Sequence, residues 1–185
     1  MHLEYHQRRV NATRSELFPR LPQLTLHEWV PEALPPTGLH KLRIVYGRAV
    51  EKVEIVPYHR RAVKSLVCIA ADEADYRFKW EDRSLFSRLM TDLGSDQDII
   101  VVRNGYVTDS SYANLALQQG DRWVTPDTPL LAGTARQRLL DAGLITAVPV
   151  RAADLRRYSR VSLINAMNDI GDIVIPIQAV HPLDS

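Results

Sequence analysis

The run Ile99-Ile100-Val101-Val102, closed by Arg103 and then Asn104-Gly105, constrains the fold more than any other stretch of this chain. Four β-branched residues in succession, with no polar alternation, predict a fully buried strand. Asn-Gly predicts a hairpin turn, because both residues tolerate the left-handed backbone that a tight turn needs. The chain therefore reverses there, and Asp109 falls at the end of a strand. Residues 113–117 read as a further strand ending at Gly120, and 161–164 and 173–177 as two more. Between them, 135–142 reads as a helix closed by Gly143. Upstream, 84–93 has Leu85, Leu89 and Leu93 at helical spacing.

The N-terminal part has a different pattern. Residues 3–18 predict a helix, with Leu3, His6, Val10 and Leu17 near one face and Pro19 ending it. A proline-rich connection runs from Pro19 to Pro36. Three β-rich runs follow at 40–46, 50–56 and 62–69, divided by Gly47 and Pro57, and they predict an antiparallel meander. The expected organisation is α/β (α+β) in two lobes, 1–75 and 76–185, with a ligand cleft between them. Residues 71–79 would be the crossover.

Composition excludes several classes. The 185 residues carry a net charge of +1, with 45% hydrophobic and 24% charged residues. That suits a globular chain with a sizeable core. No apolar run approaches the roughly 20 residues of a membrane span, and the N-terminus has no signal pattern, so a cytoplasmic location is expected. There are 19 arginines against four lysines, at 41, 52, 64 and 79, but acidic residues are interleaved with them and nucleic-acid binding is not expected. Cys68 is the only cysteine and lies in an apolar run, and the six histidines show no metal-ligand spacing, so no metal is expected. G-x-S-x-G, P-loop and dinucleotide fingerprints are absent.

The residues that carry chemistry lie in order along the second lobe. Lys79 stands between Phe78 and Trp80, where an apolar neighbourhood would lower the amine's pKa toward its nucleophilic form. It is also the last lysine of the chain. Asp109 supplies a carboxylate, and Gly133-Thr134 opens a helix whose free N–H groups favour an anion. A lysine and a carboxylate so placed suit pyridoxal phosphate (PLP), the lysine as a Schiff base and the carboxylate holding the ring nitrogen protonated. Arg8, Arg9 and Arg14 cluster on the first helix, where a guanidinium can clamp phosphate or carboxylate in a fork.

With these residues the chain resembles the class IV, fold-type-IV PLP-dependent enzymes, the group of branched-chain and D-amino-acid aminotransferases and 4-amino-4-deoxychorismate lyase. The resemblance spans about 3–177. His6-Gln7-Arg8-Arg9-Val10 resembles the family's phosphate-binding segment, with Arg9 at the matching place, and Lys79 matches the Schiff-base lysine. Arg83 matches a position beside the cofactor's phenolic oxygen. Asp109 stands where most members carry glutamate against the pyridine nitrogen, and Gly133-Thr134-Ala135 resembles the second phosphate-binding turn. Leu163-Ile164-Asn165-Ala166-Met167 is most similar to the lyase branch, which adds Asn165 and Ala166 to the expected cofactor site. By the resemblance, the family's N-terminal strand is expected to be shortened here. The resemblance implies a homodimer acting on a small amino substrate, with Arg43 and Tyr46 as candidate substrate contacts. It implies a lyase that releases pyruvate and forms 4-aminobenzoate, a folate precursor. An aminotransferase and a non-catalytic binding or structural member are the alternatives.

Overall fold

The Ile99–Val102 run forms the middle of strand β4, Gln97–Arg103, and its side chains divide between two cores. In the computed structural model, which describes residues 2–33 and 35–183, all four are at most 1% exposed. Strand periodicity sends Ile100 and Val102 to a cluster with Leu66, Leu115 and Leu163. Ile99 and Val101 face the other way, onto Ala74, Tyr76, Phe86 and Leu130. An unbroken apolar run is what a strand covered on both faces requires.

The chain divides into two compact units, Met1–Arg60 and Arg61–Ser185. The second is built on a nine-stranded sheet. Strand β3, Ser65–Ala70, pairs in parallel with β4, so it does not continue an antiparallel meander with the earlier β runs. That is why the division follows Arg60 and not residue 75. Asn104 and Gly105 take φ of 50° and 78° and turn β4 into β5, Tyr106–Ser110. Strand β6, Asn114–Gln119, then pairs with β5 through Asp109 and Asn114. It also pairs with β7, Arg122–Pro126, which lies in parallel beside β8, Thr146–Val148. On its other side lies β9, Arg160–Ile164, followed by the edge strand β10, Val174–Pro176. Strand β11, Val180–His181, closes the opposite edge in parallel with β3.

Two helices of the second unit matter for the site. Helix α2, Ser84–Leu89, ends earlier than its leucine stripe suggests, and Leu93 reaches the core from the turn beyond it. Helix α3, Thr134–Asp141, is followed by Gly143 at φ 67°, the left-handed position that closes a helix.

The first unit has helix α1, Leu3–Leu17, a 3-10 turn at Leu26–Trp29, and an antiparallel pair of β1, His40–Tyr46, with β2, Val50–Pro57. Arg14 is 3% exposed and donates to the carbonyls of Gly47 (2.5 Å) and Pro22 (2.9 Å). Its charge thus holds two loops of its own unit together, which removes it as an anion clamp. No described helix is long and apolar enough to cross a membrane.

Candidate active site

Lys79 takes φ 54°, and Asn104 of the hairpin is the only other described non-glycine residue at positive φ. Left-handed backbone costs a side-chain-bearing residue roughly 1–2 kcal/mol, so local contacts must hold it. The residue is exposed, contrary to the desolvated setting that its aromatic neighbours suggest. Phe78 and Trp80 meet each other edge to face at 5.3 Å, and Trp80 is itself 43% exposed. Sequence neighbours on a turn need not bury what lies between them.

Arg83, at the entry to α2, donates from Nη1 to the Tyr76 hydroxyl (3.0 Å) and from Nη2 to the Ser111 carbonyl (2.5 Å). Its guanidinium lies over the Phe86 ring at 4.8 Å. The segment carrying Lys79 is therefore tied to the turn that follows Asp109. Ser111 also donates to Asp98, a fully buried carboxylate at the start of β4 whose pKa burial raises.

Asp109 is 5% exposed, and both of its oxygens are engaged. Asn114 Nδ2 donates to Oδ1 (2.7 Å) and the Leu131 N–H to Oδ2 (2.9 Å). The same Asn114 amide donates to the Leu131 carbonyl (2.9 Å), so one side chain joins the β5–β6 turn to the segment leading into α3. Burial pushes the Asp109 carboxyl up to about 7, against the pull of Asn114, the Leu131 N–H and the charge of Arg136. Between pH about 4 and 7 the folded protein then keeps a proton that the unfolded chain has lost. Stability should fall as pH rises across that window and level off above it, by at most about 1.4 kcal/mol per pH unit for this one proton. In cofactor-free protein, denaturant midpoints against pH should show this slope, reduced in Asp109→Asn. An unchanged slope in the variant would assign the dependence elsewhere.

Gly133 approaches this network closely. Its φ is −69°, which any residue adopts, but an added Cβ would lie 1.9 Å from Asn114 Oδ1. Thr134 and Ala135, the first residues of α3, are buried. Asn165, just past β9, accepts from the N–H groups of Met167 (2.8 Å) and Asn168 (3.1 Å), which makes it the organiser of its own turn, with Ala166 exposed within it. The structure thus brings Asp109, Gly133 and Thr134 together, joined by Asn114. Tyr76, Asp98 and the linking role of Asn114 carry no sequence signal of their own. Arg9, Arg43 and Tyr46 belong to the other unit. There Arg9 is half-buried on α1, Tyr46 pairs with Val50, and Arg43 forms an ion pair with Glu54 across the β1–β2 ladder at 3.0 Å.

Residues 77–175 match the family described as amino-transferase class IV. The chain belongs to that family, whose members are PLP-dependent enzymes. It is 32% identical to a candidate 4-amino-4-deoxychorismate lyase from Haemophilus somnus 129pt, whose crystal structure superposes with a TM-score of 0.84 over 90% of this chain and 89% of that one. It is 36% identical over 132 residues to an uncharacterized protein of Haemophilus influenzae, covering 71% of this chain and 70% of that protein. A hypothetical aminotransferase from Mycobacterium tuberculosis, in its PLP-bound form, shares the fold at 20% identity, with a TM-score of 0.69 over 99% of this chain and 78% of that one.

Proposed function

We propose that this chain is a PLP-dependent lyase of the class IV family that converts 4-amino-4-deoxychorismate to pyruvate and 4-aminobenzoate, with Lys79 as its nucleophile and proton carrier. The observation that carries the cofactor reading is Asp109, a buried carboxyl with a pKa near 7, held by two hydrogen bonds beside the Gly133-Thr134 turn. A group so poised shares a proton with a pyridine nitrogen at neutral pH. The turn offers N–H groups at the start of the eight-residue helix α3 to the phosphate.

PLP, when bound, supplies an electron sink for the carbanion formed next to the substrate's amine. The Lys79 amine would hold the cofactor and, when free, would take the proton from the ring carbon bearing the substrate's amine. Loss of the enolpyruvyl group makes the ring aromatic, and the same amine returns the proton to the departing methylene carbon. Atoms balance without water or oxidant, so pyruvate and 4-aminobenzoate together equal the substrate.

Three features favour the lyase over an aminotransferase: Arg83, the Asn165-Ala166-Met167 segment, and the likeness to a chain described as a candidate lyase. The resemblance also carries a homodimer. The test is incubation of the PLP-loaded protein with 4-amino-4-deoxychorismate and no keto acid. Pyruvate and 4-aminobenzoate should appear in equal amounts. Conversion of the cofactor to its pyridoxamine form by an amino acid donor, without pyruvate from that substrate, would make it an aminotransferase. Failure to retain PLP would leave a non-catalytic member of the family.

A further inference from the structure

We propose that Tyr76 is the positioning residue for Lys79, gripping the chain on both sides of it and so holding its left-handed turn. The inference rests on the reading of Lys79 as the amine that attaches the cofactor. Tyr76 lies in the crossover between β3 and α2 and is 7% exposed. Its ring packs edge to face on Phe86 at 4.8 Å, within the cluster that contains Ile99, Val101 and Leu130. It is therefore anchored to the two-faced strand at the centre of the unit.

From that anchor its polar atoms reach both flanks of Lys79. The Tyr76 carbonyl accepts from the Lys79 N–H (3.1 Å), and the Tyr76 hydroxyl donates to the Trp80 carbonyl (2.8 Å). The same hydroxyl accepts from Arg83 Nη1 (3.0 Å), while Arg83 Nη2 reaches the Ser111 carbonyl beyond Asp109. With the Lys79 N–H and the Trp80 carbonyl both held, a change of φ from 54° has to be compensated at the torsions between them or it breaks a bond to Tyr76. Relaxation into the right-handed region would turn the Cα–Cβ bond by roughly 110° about the backbone and re-aim the amine. Strain at a nucleophile, over-determined by its surroundings, is a known way to preorganise a site. Through Arg83 the clamp also ties the Lys79 segment to the strand that bears the carboxylate.

Tyr76→Phe tests this, because it removes only the hydroxyl and keeps the ring in its cluster. The first readout is the rate at which added PLP becomes attached to Lys79, trapped with borohydride at intervals and mapped by peptide mass. The variant should attach about tenfold more slowly. The second uses cofactor-free protein and compares the thermal midpoints of Lys79→Gly and Lys79→Ala. Glycine should give the higher midpoint in the wild-type background, because it tolerates the left-handed turn. That advantage should shrink in the Tyr76→Phe background, where the turn is released. Attachment at the wild-type rate in Tyr76→Phe overturns the proposal. If the wild-type protein attaches no PLP at Lys79, the proposed function fails separately. The midpoint comparison then decides the clamp alone, an equal glycine advantage in both backgrounds overturning it.

Discussion

Lys79→Ala is expected to abolish covalent attachment of PLP, while Lys64→Ala leaves it intact. An imine needs a primary amine, and the second unit contains only these two lysines. Their settings differ. Lys64 stands just before β3 with its side chain 77% exposed and its amine 3.2 Å from the Asp96 carboxylate. Lys79 lies on the strained turn whose neighbour Arg83 is bonded to the carbonyl of Ser111, two residues beyond Asp109. Lys79→Arg should fail as completely as alanine, since guanidinium keeps the charge and remains protonated. Borohydride reduction followed by peptide mapping reads the result directly. A reduced adduct that persists in Lys79→Ala, or disappears in Lys64→Ala, would move the nucleophile and with it the reaction scheme.

The parts of this molecule that were legible in the sequence are those that local chemistry dictates. The run at 99–102 could only be a strand covered on both faces, and Asn104-Gly105 could turn it back because both residues accept positive φ. Helix α1 and the closing Gly143 follow from the same kind of rule. Pairing over distance was not legible. The β3 run looks like a third hairpin strand, yet it takes β4 as a parallel partner across the connection that carries Lys79 and α2. The chemistry divides in the same way. Residue types and their order pointed to Lys79, Asp109 and Gly133-Thr134, but the features that set their properties come from other segments. The hydrogen bonds of Asp109 come from Asn114, beyond a tight turn, and from Leu131, on another stretch of chain. Phe78 and Trp80 flank Lys79 in sequence and leave it exposed, whereas Tyr76, three residues upstream, bonds to its backbone. Arg14 read as one of three equivalent cations on a helix, and only the fold shows that its two terminal nitrogens are already engaged by loop carbonyls.

Gly133→Ala should destabilise the cofactor-free protein by about 2–5 kcal/mol, a large effect for one methyl group. The reason is not backbone freedom, since φ at Gly133 is −69°. The new Cβ would sit 1.9 Å from Asn114 Oδ1 and 3.0 Å from its amide carbon. Asn114 is buried and cannot withdraw without giving up its bonds to the Asp109 carboxylate and the Leu131 carbonyl, each left without that donor inside the protein. Gly143, at the other end of α3, provides the contrast. Its φ is 67° with nothing within 4 Å of an added Cβ, so Gly143→Ala should cost only the left-handed strain, roughly 1–2 kcal/mol. The two glycines of one helix are thus required for different reasons, and a second substitution separates them. Asn114→Ala empties the space that the Gly133 methyl would enter. Gly133→Ala should therefore add little to a protein already carrying Asn114→Ala, whereas Gly143→Ala should add its full cost in either background. Denaturant midpoints of the four combinations at each glycine measure this. Strict additivity at Gly133 would mean that its contact with Asn114 is not what forbids a side chain. It would also mean that Asn114 does not couple the Gly133-Thr134 turn to the Asp109 carboxylate.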